Sequence, residues 1–174
     1  MSTSAAVSTY AWRRLDLDGL TFVRVERDEH GGIVGVDGQE ICVDGRQTWS
    51  TRFTIELDLG WRHRSTWVEV THGDDIQTLR LDNLGDCEVV DLAGNPFTNA
   101  LVLRSGIVPM GGEVAVLAAF IETPILTVRP LRQRYTRLAD DRWTYADDEH
   151  GAFEFSVDTD GIVIDYRGLA TRLG

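Results

Sequence analysis

Paired acids are the first residues in this chain whose spacing could support a reaction. They stand at Asp74-Asp75, Asp140-Asp141 and Asp147-Asp148-Glu149. Two carboxylates can hydrolyse a glycoside when their surroundings split their pKa values. Each of these groups falls in a polar turn segment, however, where acids are ordinarily solvated. The histidines His30, His63, His72 and His150 have no partner at a metal-ligand spacing, so no metal site is expected. Asp158-x-Asp160-Gly161 has the outline of a calcium loop. Aligned on its glycine, though, it puts Arg167 where a bidentate Glu is required, and it reads as a hairpin turn instead. There is no Gly-x-Ser-x-Gly elbow. No catalytic residue and no cofactor is assigned.

Binding chemistry has more to work with. Arg52 sits on the polar face of a strand whose other face carries Trp49 and Phe53. On a cavity wall it could fork onto a phosphate or carboxylate; on an outer face it would pair across strands. Arg129, Arg132, Arg134 and Arg137 could together hold one anionic headgroup, or form a solvated strand edge. The densest polar segment runs from Gly85 through Asp91, Asn95-Pro96 and Thr98-Asn99 to Arg104. Proline sets its own backbone angle, and Asn and Thr side chains bond back to nearby amides, which predicts a rigid turn. Asp91 and Arg104 could pair across it. Such a loop is either self-satisfied or the rim of a ligand cavity.

Composition removes whole classes. All 17 basic residues are arginine, which excludes Schiff-base and pyridoxal chemistry and the lysine-dependent phosphate-binding and acylation motifs. A net charge of −11 disfavours nucleic acid and anionic membranes as partners. Cys42 and Cys87 make no disulfide framework and are expected as reduced, partly buried thiols. The first nine residues lack the basic start and apolar core of a signal peptide, and no apolar run is long enough to span a bilayer. A cytoplasmic location is therefore the expectation.

The elements that must position these groups are strands. Trp49, Thr51, Phe53, Ile55 and Leu57 alternate with polar residues, as do Phe153, Phe155 and Val157, then Ile162, Ile164 and Tyr166. Asp158 to Gly161 turns one of these runs into the next. Further strands are predicted at 20–29, 33–43, 65–72, 76–82, 86–92, 100–108, 113–122, 125–138 and 142–147, with one helical turn near 168–173. At 174 residues the chain fits one domain, expected over 10–174 behind a loose tail at 1–9. The prediction is a mainly β fold of about 11–12 strands, curled as an open barrel or β-roll.

A family resemblance extends this reading. The segment Asp91 to Arg104 resembles the signature of the family named putative glycolipid-binding, first catalogued as a domain of unknown function. Trp12-Arg-Arg-Leu-Asp16, Trp49 to Arg52, Gln133-Arg-Tyr135 and Val157 to Tyr166 add to the likeness, over about 10–172. The resemblance implies a curled open sheet similar to that of bacterial lipoprotein carriers, which hold acyl chains in an apolar hollow. It implies ligand-binding roles for Arg52, Asp91, Thr98, Asn99, Arg104, Tyr135, Asp165 and Tyr166. The expected partner is a lipid or glycolipid. Two other readings of the chain are a self-associating scaffold and a small hydrolase or isomerase. The enzyme reading needs convergent polar groups in one pocket, for example Asp91, Tyr135 and Asp165 with Arg104 as an electrostatic partner.

Overall fold

Alternating apolar residues build strands, and in the computed structural model, which describes residues 6–104 and 108–174, thirteen strands join one sheet. In chain order they are β1 (Ala6–Arg14), β2 (Asp18–Arg27), β3 (Ile33–Asp44), β4 (Gln47–Leu57), β5 (His63–His72), β6 (Asp75–Leu81) and β7 (Val89–Leu92). After one helix, α1 (Thr98–Leu103), come β8 (Glu113–Glu122), β9 (Thr127–Arg137), β10 (Arg142–Asp147), β11 (Gly151–Val157), β12 (Val163–Tyr166) and β13 (Ala170–Arg172). Their order in space is β6-β5-β4-β3-β2-β1-β13-β12-β11-β10-β9-β8-β7. Two meanders thus meet at a seam where β1 pairs with β13, Trp12 opposite Arg172 and Arg14 opposite Ala170. The pairings are antiparallel except β7 with β8. The sheet does not close, yet it curls until β7 at one edge lies near β5 toward the other.

Each long strand buries one face, as period-two alternation requires. In β4, residues 49, 51, 53, 55 and 57 are buried, while Arg52, Thr54 and Glu56 are exposed. The concave face is filled by two apolar clusters, one around Trp12, Phe53 and Phe97 and the other around Trp143, Phe155 and Tyr166. All six residues of α1 are buried, so the helix lies inside the curl as a plug.

Three expectations need correction. Residues 98–103 are helix rather than the start of a strand over 100–108; residues 105–107 of that span lie outside the described residues. A run such as Leu101-Val102-Leu103 is apolar on every side because the sheet surrounds it, and surrounded helix and buried strand look alike over so few residues. The helical turn near 168–173 is instead a turn followed by β13, which pairs with both β1 and β12. Three residues are too few to show a period. β1 begins at Ala6, so residues 6–9 are paired strand rather than tail, and residues 1–5 lie outside the described residues.

Three hairpins share one turn chemistry. Asp28 Oδ1 accepts the amides of His30 and Gly32 at 2.8 Å each. Asp58 Oδ1 accepts those of Gly60 and Arg62 at 2.8 and 2.9 Å, and Asp158 Oδ1 those of Asp160 and Ile162 at 2.9 Å. Each turn adjoins a register shift in its hairpin, the mark of a bulge that sharpens the bend. Chain direction puts all three turns at the same end of the sheet, and arginines tie that end shut. Arg104 reaches Asp160 Oδ1 at 2.9 Å and lies 5.2 Å from the centre of the Trp61 ring, while Arg27 reaches Asp160 Oδ2 at 3.3 Å.

Packing between β2, β3 and β4 leaves no room at Gly38. A Cβ there would overlap the Phe53 ring and stand 2.6 Å from the Phe22 carbonyl oxygen. Gly38→Ala is expected to lower stability by about 1–3 kcal/mol, read as a fall in the urea midpoint at unchanged slope.

Candidate functional site

The opposite end of the sheet stays open. There the β1–β2, β3–β4, β8–β9, β10–β11 and β12–β13 turns converge with the link from β7 to α1 around a cavity of about 510 Å³. Phe120, Tyr145, Phe153 and Tyr166 give it an aromatic wall, and Asp16, Asp44, Asp91 and Asp147 give it carboxylates.

The β7–α1 link builds one side. Gly94, at φ 74, presses so closely on the Arg14 guanidinium that any Cβ would overlap it. Asn95 turns the chain by donating its amide to the Leu92 carbonyl at 2.9 Å, while its Oδ1 accepts the Phe97 amide at 3.0 Å. Asp91 then anchors the plug. Its Oδ1 accepts the Thr98 hydroxyl at 2.5 Å and its Oδ2 the Gln133 amide at 2.6 Å. The Tyr135 hydroxyl stands 3.1 Å from both Gln133 Oε1 and Asn99 Oδ1. Burial raises the Asp91 pKa, opposed by its two hydrogen bonds and reinforced by nearby Asp147.

Asp147 differs. Its side chain is fully buried, which pushes its pKa up, but the Tyr145 hydroxyl and the Glu149 and His150 amides donate to it and hold it below its usual value. It also meets His150 Nδ1 at 2.9 Å, and this fixes the ring at the cavity wall 5.7 Å from Phe120. The site therefore holds two carboxylates pushed in opposite directions and an imidazole oriented by one of them.

The facing wall comes from β3, β4 and the turn after β1. Arg14 forks onto Asp16 at 2.9 and 2.6 Å. Trp49 and Gln47 line the cavity, and beside them Glu40 is fully buried, 3.2 Å from the Thr21 hydroxyl. Burial raises the Glu40 pKa to about 7 against the pull of Arg14.

Of the eight residues expected at a binding site, Asp91, Asn99 and Tyr166 line this cavity. Thr98 and Tyr135 stand behind them in the network that holds α1. Arg52 and Asp165 are exposed away from the cavity, and Arg104 is at the closed end. The constellation of Asp91, Tyr135, Asp165 and Arg104 given as an example for the enzyme reading is thus dispersed. The four arginines of β9 lie on a strand paired on both sides, not at an edge. Arg129 is held by Glu149 at 2.6 Å and Arg137 by Asp140 at 2.9 Å. No group of His, Cys, Asp and Glu suited to a metal ion occurs among the described residues, and no helix there is long and apolar enough to cross a membrane.

Sequence reasoning missed Glu40 altogether, and it met Arg14, Asn95, Asp147 and His150 without assigning any of them to the binding site. Glu40 had a legible signal, since it shares a strand face with Val36 and Cys42, where a charge is out of place. Asp147 had none, being spelled like its solvated neighbour Asp148.

Comparison with known proteins places this geometry. The model of a family described as "Putative glycolipid-binding" matches residues 9–172. Among solved structures, the chain is similar to a DUF1089 family protein from Pseudomonas aeruginosa, with a TM-score of 0.78 and 25% identity over 88% of this chain and 92% of that one. No curated protein sequence matches it.

Glu40 has a measurable consequence. Its pKa rises from 4.5 to about 7 on folding, so the folded state holds the proton more tightly. That contribution to stability is full below 4.5 and is lost as pH rises through 7. Glu40→Gln is expected to gain on the wild type by on the order of 3 kcal/mol between pH 4 and pH 8, in urea titrations at both. An unchanged difference would refute the assignment.

Proposed function

The chain belongs to the putative glycolipid-binding family, and we propose that it binds an amphipathic, lipid-like ligand in the cavity at the open end of its sheet. The observation that carries this reading is the cavity itself. Its volume of about 510 Å³ lies within the range of small-molecule pockets, and its wall joins apolar rings to a few convergent polar groups. An amphiphile can lay its chain along Phe120, Phe153 and Tyr166 and set its headgroup among Asp91, Asn95, Asn99 and His150. The network behind Asp91 would keep that lining in place without reorganisation on binding, which lowers the entropic cost. Two free thiols, Cys42 and Cys87, support a reducing, cytoplasmic setting.

Self-association has one observation in its favour. Leu20 and Ile41 face each other across β2 and β3 on the outer face of the sheet, and with Phe22 they leave an exposed apolar patch. A monomer by sedimentation at high concentration would remove that reading and leave the cavity reading untouched.

Native mass spectrometry of protein purified without detergent is expected to show a lipid-like adduct. Phe153→Ala is expected to weaken amphiphile binding about tenfold, a loss of about 1.4 kcal/mol, measured at a temperature where the variant, whose partly buried ring packs against the core, is still fully folded. An adduct-free spectrum together with no thermal shift from added amphiphiles would overturn the proposal.

A further inference from the structure

Asp147 holds more donors than its turn requires. Its Oδ1 alone accepts the amides of Glu149 and His150, at 2.7 and 2.5 Å, and so completes the link from β10 to β11. Its Oδ2 is left for side chains, the Tyr145 hydroxyl and His150 Nδ1, the latter at 2.9 Å. Against its burial, Asp147 is kept a carboxylate by the Tyr145 hydroxyl and those amides. A carboxylate beside Nδ1 draws the ring proton to that nitrogen, and Nε2 then carries the lone pair. The imidazole lines the cavity beside Phe120, and at 45% exposure it is open to water. A ring oriented through one nitrogen, with the other left as a base in a pocket, is equipped for general-base catalysis.

The rest of the wall narrows what such a base can act on. A phosphate ester would bring its charge against Asp16, Asp44, Asp91 and Asp147, and the Arg14 guanidinium on the lining is already forked onto Asp16. A glycoside needs one carboxyl to donate a proton and a second to attack or to activate water. Here both oxygens of Asp91 accept, from Thr98 and Gln133, and the Asp147 side chain has no exposed surface. A neutral acyl group needs only water, a base, and a donor for the oxygen on which charge develops. The Trp49 indole N–H, on the facing wall, has no hydrogen-bond partner and is the donor at hand. We propose that the cavity hydrolyses neutral carboxylic esters, with His150 as the general base and Asp147 as the residue that positions it. Nε2 takes a proton from water as the water oxygen bonds to the carbonyl carbon. Collapse of the tetrahedral adduct then breaks the bond from that carbon to the alkoxy oxygen, which leaves with the proton from Nε2. Acid and alcohol are the products, and the imidazole ends as it began. The inference rests on the ligand-binding reading above and adds a reaction to it.

The test uses para-nitrophenyl butyrate as substrate and butyl para-nitrophenyl ether, which has no acyl group, as a binding probe. The wild type is expected to release nitrophenolate with a kcat at least about a hundredfold above the rate constant in buffer, the low end of general-base catalysis. His150→Gln and Asp147→Asn are each expected to lose most of that gain, at least about tenfold in kcat. In the second variant an Asn amide donates to Nδ1 and moves the ring proton to Nε2. KM for the ester and Kd for the ether, read by quenching of tryptophan fluorescence, should stay within about twofold in both, which shows that the cavity is intact. Added imidazole is expected to restore part of the activity of His150→Ala beyond its own reaction with the ester, which it would not do for a merely structural histidine. His30→Gln, on the Asp28 turn at the closed end, should keep full activity. Should Asp147→Asn fail to fold, His150→Gln and the imidazole rescue decide alone. An ether that binds beside an ester that is not hydrolysed overturns the inference while the binding reading stands. So does hydrolysis that His150→Gln leaves undiminished or that His30→Gln lowers equally. If the ether does not bind and the ester is not hydrolysed, the binding reading falls and this inference with it.

Discussion

A sheet that curls without closing has a concave apolar face to cover and two edges to manage, and here the cover available from within the chain is a helix of six residues. So short a helix has no stability of its own. It is held in place by the buried hydrogen bonds that run from Asp91 to Thr98 and Gln133, and on through Tyr135 to Asn99. Every other property of the molecule follows from where that plug ends. It fills the half of the curl toward the Asp-turn hairpins, and the other half is left as a cavity.

The two ends are built by opposite uses of charge. At the closed end, carboxylates accept backbone amides and arginines, and Arg27 and Arg104 converge on Asp160. Those acids are spent on structure. At the open end, Asp91 and Asp147 are also hydrogen-bonded, yet both face a space large enough for a ligand. A chain with a net charge of −11 keeps its cavity rich in acids rather than arginines, which is why the phosphate-binding roles that Arg52 and the arginines of β9 invite have no counterpart in the geometry.

The sheet was readable in advance because its strands are long and their inner and outer residues differ in polarity. β4 and the hairpin about Asp158 could be drawn from spelling alone. α1 and β13 could not, because each is too short to complete a period and takes its form from partners distant in sequence. The binding face was legible in part. Asp91 and Asn99 stood out because the turn chemistry around Pro96 concentrates polar residues. Arg14, Glu40 and Asp147 did not, since burial of a charge is decided by which strands become neighbours. Period two says which residues share a face, but not what the face opposite will bring.

The β1–β13 seam joins two meanders whose pairings are otherwise between strands close in sequence. During synthesis the first meander can assemble as it leaves the ribosome, with Trp12, Val23 and Phe53 on an uncovered face. The helix that covers that face comes next, and β13, which follows the twelve other described strands, stitches both halves together through the three residues Ala170–Arg172. The indole of Trp12, which donates to the Val163 carbonyl at 2.9 Å, must wait for β12. Until β13 has emerged the two meanders share no strand pairing, and its three residues are the clasp.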